Sequence, residues 1–463
     1  MINGVEQLKM YIPSKAAEII QELTVHGFEA YAVGGCVRDS ILGREPEDWD
    51  ITTSARPEQV KAIFQRTVDT GIEHGTVTVL MDREQFEVTT YRVDGEYEDH
   101  RHPKEVTFTA SLEEDLKRRD FTINAMAYNP ETGLVDIFNG IEDLKNQVIR
   151  CVGNPGERFD EDALRILRAI RFSAQLGFQI DAETQRAMSE RAEDLKEVSA
   201  ERIRVELVKL LVSGHPEYIR EACRLGITRV VLPEYDRIVG VAQHTPNHIY
   251  DVEEHTLLAL KNIEADSVLR LTMLFHDFGK PIVKKTDGDR DIFYKHPEVS
   301  AEICRKILKR LKFDNHTLEK VYRLVKWHGL KYLPNDISVR RALNRVGSDI
   351  FEDFIKVQRA DISAKNPAVV PKKMKQLAEK EDIYRNIIRR GDCFAVKMLA
   401  VNGRDLLEAG IPQGPMLGAV LERLVERVID EPELNDREKL LALAAQVKED
   451  PTIFDEKEYF FEH

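Results

Sequence analysis

Cysteine is scarce in this chain of 463 residues: Cys36, Cys151, Cys223, Cys304 and Cys393 are odd in number, far apart and free of any Cys-x-x-Cys pair. Neither a disulfide framework nor a thiolate zinc site is expected. No apolar run approaches the ~20 residues needed to span a bilayer, and no basic-then-apolar leader is legible. These absences give no support to secretion or a membrane partner, and a cytoplasmic setting is expected. Positive charge is also in deficit, since 67 Lys+Arg against 81 Asp+Glu leave a formal charge of −14. No global basic field draws nucleic acid to the surface, so a polyanionic substrate must find a local basic groove or be held by metal ions. DNA is not an expected partner.

With 42% hydrophobic and 32% charged residues, the composition is that of a globular protein. At roughly 150 residues per domain the length suggests about three domains. Strand-like runs at EAYAV, WDITT, GTVTVLM, QFEVTTYR and VTFT are interleaved with a helix at 14–27 and another around Glu58 to Phe64, which makes the first 150 residues mixed α/β. After Arg158 the apolar residues recur at helical spacing, as in EDALRILRAIRFSAQL and SAEICRKILKRLKF. Turn-residue clusters then divide the chain into 1–150, 151–235, 240–365 and 366–463.

The stretch YAVGGCVRDSILGREPEDWDITT joins several chemical devices. A strand feeding Gly34 and Gly35 and then a helix lets backbone N–H groups approach a triphosphate, and Arg38 adds a charged fork. Asp48 and Asp50, at i and i+2 on a strand, project on one face, where they suit hard divalent cations such as Mg²⁺. Glu87, on an apolar-alternating strand, is the candidate third carboxylate of a two-metal site. Taken alone, Asp-x-Asp also fits a solvated strand edge, Gly-Gly a simple turn and Glu87 an exposed strand acid.

Further on, Glu161, Asp162 and Arg165 open a helix, with Asp162 and Arg165 three apart on one face. An aspartate accepting from an exocyclic amino group and an arginine donating to a ring nitrogen would admit cytosine and adenine and refuse uracil and guanine. An isolated EDxxR equally suits a helix N-terminus with a surface ion pair. Arg165, Arg168 and Arg171, with Arg202, Arg204 and Lys209, form local basic stripes on this acidic chain.

Following the head motif come VDGEYEDHRHPKEVTF, RRDFTINAMAYN, LVDIFNGIEDL, RFDEDALRILRAIRFSAQLGF and AERIRVEL. In this order, over Glu29 to Leu211, the chain resembles the class II transfer-RNA nucleotidyltransferases, the bacterial CCA-adding enzymes and their poly(A) polymerase relatives. The resemblance implies that Asp48 and Asp50 hold Mg²⁺, that Gly34, Gly35 and Arg38 hold the triphosphate, and that Arg119, Asp120 and Asn124 lie around ribose and phosphates. It also implies base reading by protein side chains around Asp162 and Arg165, with CTP, ATP and the tRNA 3′ end as partners. The loop reads DHRHP, where this family often has a second arginine in place of His102.

A second constellation lies in helical surroundings: His255, His276-Asp277, His296, His328 and Asp361. Imidazoles and carboxylates on several helices can close around one or two divalent transition metals and generate hydroxide for phosphoester hydrolysis. The His-Asp pair alone is common by chance, but the full set resembles the HD-domain phosphohydrolases. That resemblance implies action on an RNA end or on 2′,3′-cyclic phosphates. His244 and His248 fit no ligand position. The carboxy-terminal stretch VNGRDLLEAGIPQGPMLGAVLERLVERV also looks like this family's tail, with Gly403, Asp405, Gly414, Pro415 and Gly418 at its turns, and the tail is expected to grip tRNA.

The expected fold is an α/β nucleotidyltransferase head followed by mainly α-helical neck, HD and tail domains. Two rival functions remain at this point. A poly(A) polymerase is disfavoured by the −14 charge. A phosphohydrolase whose head only senses nucleotides is disfavoured by the intact Asp48, Asp50 and Glu87 set.

Overall fold

The computed structural model describes residues 10–94 and 106–449, so DHRHP and its His102 lie outside the described residues. Two compact units divide the chain: Met1–Arg237 with Arg310–Phe313, and Ile238–Lys309 with Asp314–His463.

In the first unit, α1 (Ser14–Val25) precedes β1 (Ala30–Val33), α2 (Gly35–Ile41), β2 (Ile51–Thr53), α3 (Pro57–Ile63), β3 (Thr67–Gly71), β4 (Thr76–Met81) and β5 (Glu84–Thr90). A hairpin of β6 (Arg92–Asp94) and β7 (Val106–Phe108) leads to α4 (Leu112–Lys117), β8 (Met126–Asn129), β9 (Gly133–Asp136) and α5 (Gly140–Asn146). Seven strands make one mixed sheet in the order β3-β4-β5-β2-β1-β8-β9. β1 runs antiparallel to both β2 and β8, and β2 runs parallel to β5. The central strands are apolar because both their faces are covered: every residue of β2 is buried, and so are Ala30, Ala32 and Val33 of β1. β3 is the opposite case. It is an edge strand, TVDTG, with three of its five residues exposed, and its lack of alternation leaves it without a sequence signal.

The helical part of this unit begins with β10 (Val148–Ile149) and α6 (Pro155–Glu161), followed by α7 (Leu164–Leu176). β11 (Gln179–Ile180) pairs with β10, and α8 (Ala182–Glu190), α9 (Ala200–Leu211), α10 (Ile219–Arg224), α11 (Thr228–Val231) and α12 (Pro233–Asp236) complete it. The continuous helix expected over EDALRILRAIRFSAQL is broken. Glu161 is the last residue of α6, and Asp162 is extended (φ −146°, ψ 102°) before α7 starts at Leu164. The cause is local: the Asp162 Oδ1 atom accepts from the Leu164 N–H at 3.0 Å, a side chain competing with the backbone for a helix-start donor.

The second unit is almost wholly helical: α13 (Val252–Lys261), α14 (Ser267–Phe275), α15 (Lys280–Val283), the hairpin of β12 (Lys285–Asp287) and β13 (Arg290–Ile292), α16 (His296–Arg310), α17 (Asn315–Trp327), α18 (Asp336–Val346), α19 (Phe351–Ser363) and α20 (Val370–Arg390). Asp251, Asp266 and Asp314 cap α13, α14 and α17 through their side chains. α21 (Gly403–Glu408), α22 (Pro415–Asp430) and α23 (Arg437–Glu449) close it around a core of Leu406, Val420, Leu424 and Leu440. All five cysteines are unpaired, and no helix among the described residues is long and apolar enough to cross a membrane.

Candidate functional site

Gly34 adopts φ 82° between β1 and α2, where a side chain would be strained, and an added Cβ would lie 3.1 Å from the Arg119 guanidinium. The bare backbone of the strand-to-helix turn therefore opens onto Arg119. The strand expected to carry Asp48 and Asp50 begins only at Ile51, so both acids precede β2 instead of lying on it, and both are exposed. Parallel pairing sets Ile51 opposite Val88, so one residue earlier Asp50 lies beside Glu87, which is exposed between buried Phe86 and Val88. Asp50 thus has both other carboxylates as charged neighbours, beside the interior strands β2 and β5. The Asp50 carboxyl is held above its ordinary range, first by the surrounding protein and then by the Glu87 and Asp48 charges, with Arg119 opposing.

Arg119 is placed by a buried acid, Asp115, which is not among the candidate residues of the sequence. Asp115 is fully buried and accepts from Thr52 at 3.1 Å, from Arg118 at 2.8 and 3.0 Å and from Arg119 at 3.4 Å. Burial would raise its carboxyl, but the two guanidiniums outweigh that and hold it low. The i, i+3 and i, i+4 spacing of Asp115 with Arg118 and Arg119 was the available signal. Among the described residues the buried Arg119 Nε–H meets no acceptor, a donor of the kind an incoming phosphate or ribose oxygen satisfies.

From Arg38 a hydrogen-bonded chain runs into the helical part. Arg38, 8% exposed, grips Asp39 at 2.8 and 2.9 Å and donates to the Asn124 Oδ1 at 2.7 Å. The Asn124 amide donates to Asp120 at 3.1 Å, and Arg168 donates to the other Asp120 oxygen at 2.8 Å. Burial pushes the Asp120 carboxyl up, but Arg168 and the Asn124 amide prevail and take it down to about 2. Phe172 supports this chain from below: the guanidiniums of Arg38, Arg168 and Arg171 lie 5.1, 5.3 and 3.9 Å from its ring centre. In the sequence Phe172 is one apolar residue of the helical pattern in EDALRILRAIRFSAQL.

Asp162 and Arg165 stand at the junction of α6 and α7 and do not pair with each other. Asp162 binds Arg202 of α9 at 2.7 Å. Arg165 pairs with Glu161 and donates to the carbonyls of Arg158 and Arg118 at 3.0 and 2.9 Å. The surface i, i+3 ion pair is therefore not formed, and each residue is oriented separately.

In the second unit, His255, His276, Asp277, His296, His328 and Asp361 converge, and all but His296 are buried. His276 and His328 each follow a helix's last turn, where carbonyls lack partners, and their Nδ1–H groups donate to Met273 O and Val325 O at 2.7 Å. His296 does the same to Phe293 O at 2.8 Å, and His255 to Ala364 O at 3.1 Å. A carbonyl can only accept, so each Nδ1 carries the proton and each Nε2 presents a lone pair. The His255 Nε2 lies 3.0 Å from Asp361 and 3.3 Å from the His276 Nε2, while Asp277 is 3.1 Å from His276, 3.4 Å from His296 and 3.8 Å from His328. Burial takes His296 down to about 4 and His328 down to about 3, so protons are poorly available to bridge these lone pairs. Among the described residues neither Asp277 oxygen has an aligned hydrogen bond, although the Lys280 ammonium is 2.6 Å away. Facing lone pairs around a buried carboxylate make a donor set that fits divalent cations.

Gly279 permits this convergence, since a Cβ there would lie 2.6 Å from the His296 carbonyl. His248, set aside in the sequence, stacks edge-on at 4.9 Å from His255, whereas His244 faces Asp291 at 2.9 Å.

Three family models match: the poly A polymerase head domain over residues 30–150, the probable RNA and SrmB-binding site of polymerase A over 177–239, and a putative tRNA nucleotidyltransferase domain 2 over 293–444. The CCA-adding enzyme of Levilactobacillus brevis is 37% identical across 92% of this chain and 96% of its own. The chain belongs to the CCA-adding enzyme family. It is therefore a nucleotidyltransferase with an α/β head and a mainly helical remainder. A CCA-adding enzyme of Enterococcus faecalis is 57% identical over 43% of this chain and 49% of its own. Among solved structures, the Bacillus stearothermophilus CCA-adding enzyme in complex with CTP matches with a TM-score of 0.71 and 29% identity, over 95% of this chain and 98% of that one. Within this family member, the domain 2 match begins at residue 293, so it includes His296, His328 and Asp361 but not His255, His276 or Asp277.

Proposed function

We propose that this chain extends the 3′ end of tRNA with CCA, or with its CC or A part, from CTP and ATP. The observation that carries the reading is the presence, in one unit, of the Asp48, Asp50 and Glu87 carboxylates and the Arg38–Asn124–Asp120–Arg168 chain. The three carboxylates are the residues that would hold Mg²⁺, and their hard oxygen donors suit it. Bound there, Mg²⁺ supplies neutralisation of the triphosphate and polarisation of the α-phosphate.

The chain's own side chains do the rest. Gly34 and Gly35 offer backbone N–H groups, Arg38 a positive charge, and Arg119 its unmatched Nε–H, to the triphosphate and ribose. Asp120 and Asn124 keep Arg38 and Arg168 in place. Asp162 accepts from the exocyclic amino group of cytosine or adenine and Arg165 donates to the ring nitrogen, with Glu161 and Arg202 orienting them. The tRNA 3′ oxygen bonds to the α-phosphorus, the bond to the departing pyrophosphate breaks, and the hydroxyl proton passes to solvent.

Residues 1–150 form the nucleotidyltransferase head and 151–235 a neck for base and RNA binding. Residues 240–365 form an HD phosphohydrolase with one or two transition metals, and 366–463 a tRNA-binding tail. The phosphohydrolase reading rests on the four Nε2 lone pairs facing Asp277 and Asp361. The primary test is incubation with Mg²⁺, tRNA lacking its last three nucleotides and each labelled nucleoside triphosphate in turn. Incorporation of C, of A, or of both in sequence supports the proposal, and a long adenosine tail replaces it with poly(A) synthesis.

A further inference from the structure

The chain is net −14, yet in its second unit Lys331, Lys365 and Lys372 are charged neighbours of Lys373, and Lys373 of Lys380. Lys365, just beyond the end of α19, reaches Asp361 at 2.5 Å. Its loop is pinned to the segment before α13: the Asn366 N–H donates to the Asn247 carbonyl at 2.9 Å. Lys373 on α20 has Lys365, Lys331 and Lys372 as charged neighbours, with Asp361 the opposing charge. Its ammonium is held below the ordinary lysine range, first by burial and then by Lys365. About two turns further on, the Lys380 ammonium sits 4.2 Å from the centre of the Tyr332 ring.

We propose that Lys331, Lys365, Lys372, Lys373 and Lys380 form a docking track that receives the phosphates of single-stranded RNA and leads its 3′ end to the histidine and aspartate cluster. The proposal rests on the phosphohydrolase reading of that cluster. Among the described residues, Lys331, Lys372, Lys373 and Lys380 have no carboxylate within salt-bridge distance, so their mutual repulsion is left for an anion to offset. From Lys372 to Lys380 the helix rises about 12 Å, longer than one phosphate requires, which favours a polymer over a mononucleotide. At the cluster a water oxygen bonds to the phosphorus of a 2′,3′-cyclic end. The bond from phosphorus to one ribose oxygen breaks, and the water's proton ends on that oxygen.

The test compares full-length wild type with a triple variant, Lys372→Ala, Lys373→Ala and Lys380→Ala. Ni²⁺-loaded protein is assayed on a cyclic mononucleotide and on a single-stranded RNA decamer with a cyclic 3′ end. Binding of the fluorescein-labelled decamer to EDTA-treated protein is measured by anisotropy against salt. The track predicts a KM for the decamer raised about tenfold or more, mononucleotide kcat/KM unchanged within about twofold, and a salt slope of log affinity shallower by about 2. Equal losses on both substrates, or unchanged decamer KM and salt slope, overturn the track and leave the phosphohydrolase standing. Hydrolysis of neither substrate by wild type overturns both.

Discussion

Asp162 offers the most discriminating perturbation because it has two separable jobs in the structure. Its Oδ1 caps α7 through the Leu164 N–H at 3.0 Å, and its Oδ2 binds Arg202 at 2.7 Å. Asp162→Ala removes both, at about 1 kcal/mol for the cap and up to about 1 kcal/mol for a partly exposed ion pair. In a unit of this size that lowers Tm by about 3–6 °C. Asp162→Asn keeps an oxygen acceptor for the cap, so its Tm should fall by no more than about 2 °C. The asparagine also has an amide donor, which can serve the carbonyl of uracil that the carboxylate repels. A lost or reversed hydrogen bond at the base costs about 1–3 kcal/mol, so the CTP-to-UTP incorporation ratio should fall about tenfold to a hundredfold in both variants. The assay is competitive incorporation into tRNA by folded, soluble protein. If Asp162→Asn leaves the ratio unchanged, the base-reading role fails and only the cap survives.

Asp48→Ala or Asp50→Ala should abolish nucleotide addition while circular dichroism and Tm stay near wild type, because both residues are exposed. Persisting incorporation would refute the metal assignment. Asp120 makes a prediction about pH. Its carboxyl is depressed from 3.8 to about 2, so its stabilisation is full above pH ~4 and lost as pH falls through ~2. In urea unfolding, the stability gap between wild type and Asp120→Asn should therefore shrink by roughly 2 kcal/mol from pH 5 to pH 2, and a constant gap would contradict this. His276→Ala with Asp277→Ala should remove bound transition metal and phosphoester hydrolysis and spare nucleotide addition, since the two clusters lie in different units. Loss of addition alone would reverse the assignment of activities.

The sequence carried the head well because its signals are local. Gly34 marks a turn that only glycine suits, and Glu87 follows from the period-two alternation of its strand, whereas Asp48 and Asp50 stand ahead of β2, where alternation does not reach. It failed where partners are distant or where a side chain overrides helical periodicity. Asp162 breaks the helix through one bond to Leu164, and its partner Arg202 lies 40 residues away. Phe172 reads as core in any helical pattern, and only packing shows three guanidiniums around its ring. In the second unit six candidate ligands were legible, but the Nδ1-to-carbonyl bonds that aim three of them depend on where α14 and α17 end and where α16 begins. β3, exposed and without alternation, gave no periodic signal at all.

The most direct test of the central claim is mass spectrometry of the tRNA 3′ end after incubation with all four nucleoside triphosphates at equal concentration, Mg²⁺ and tRNA lacking its last three nucleotides. A protein site that reads the amino edge of cytosine and adenine predicts products extended only by C and A and ending at or before a completed CCA. Products carrying U or G in proportion to supply, or adenosine tails of indefinite length, would contradict it.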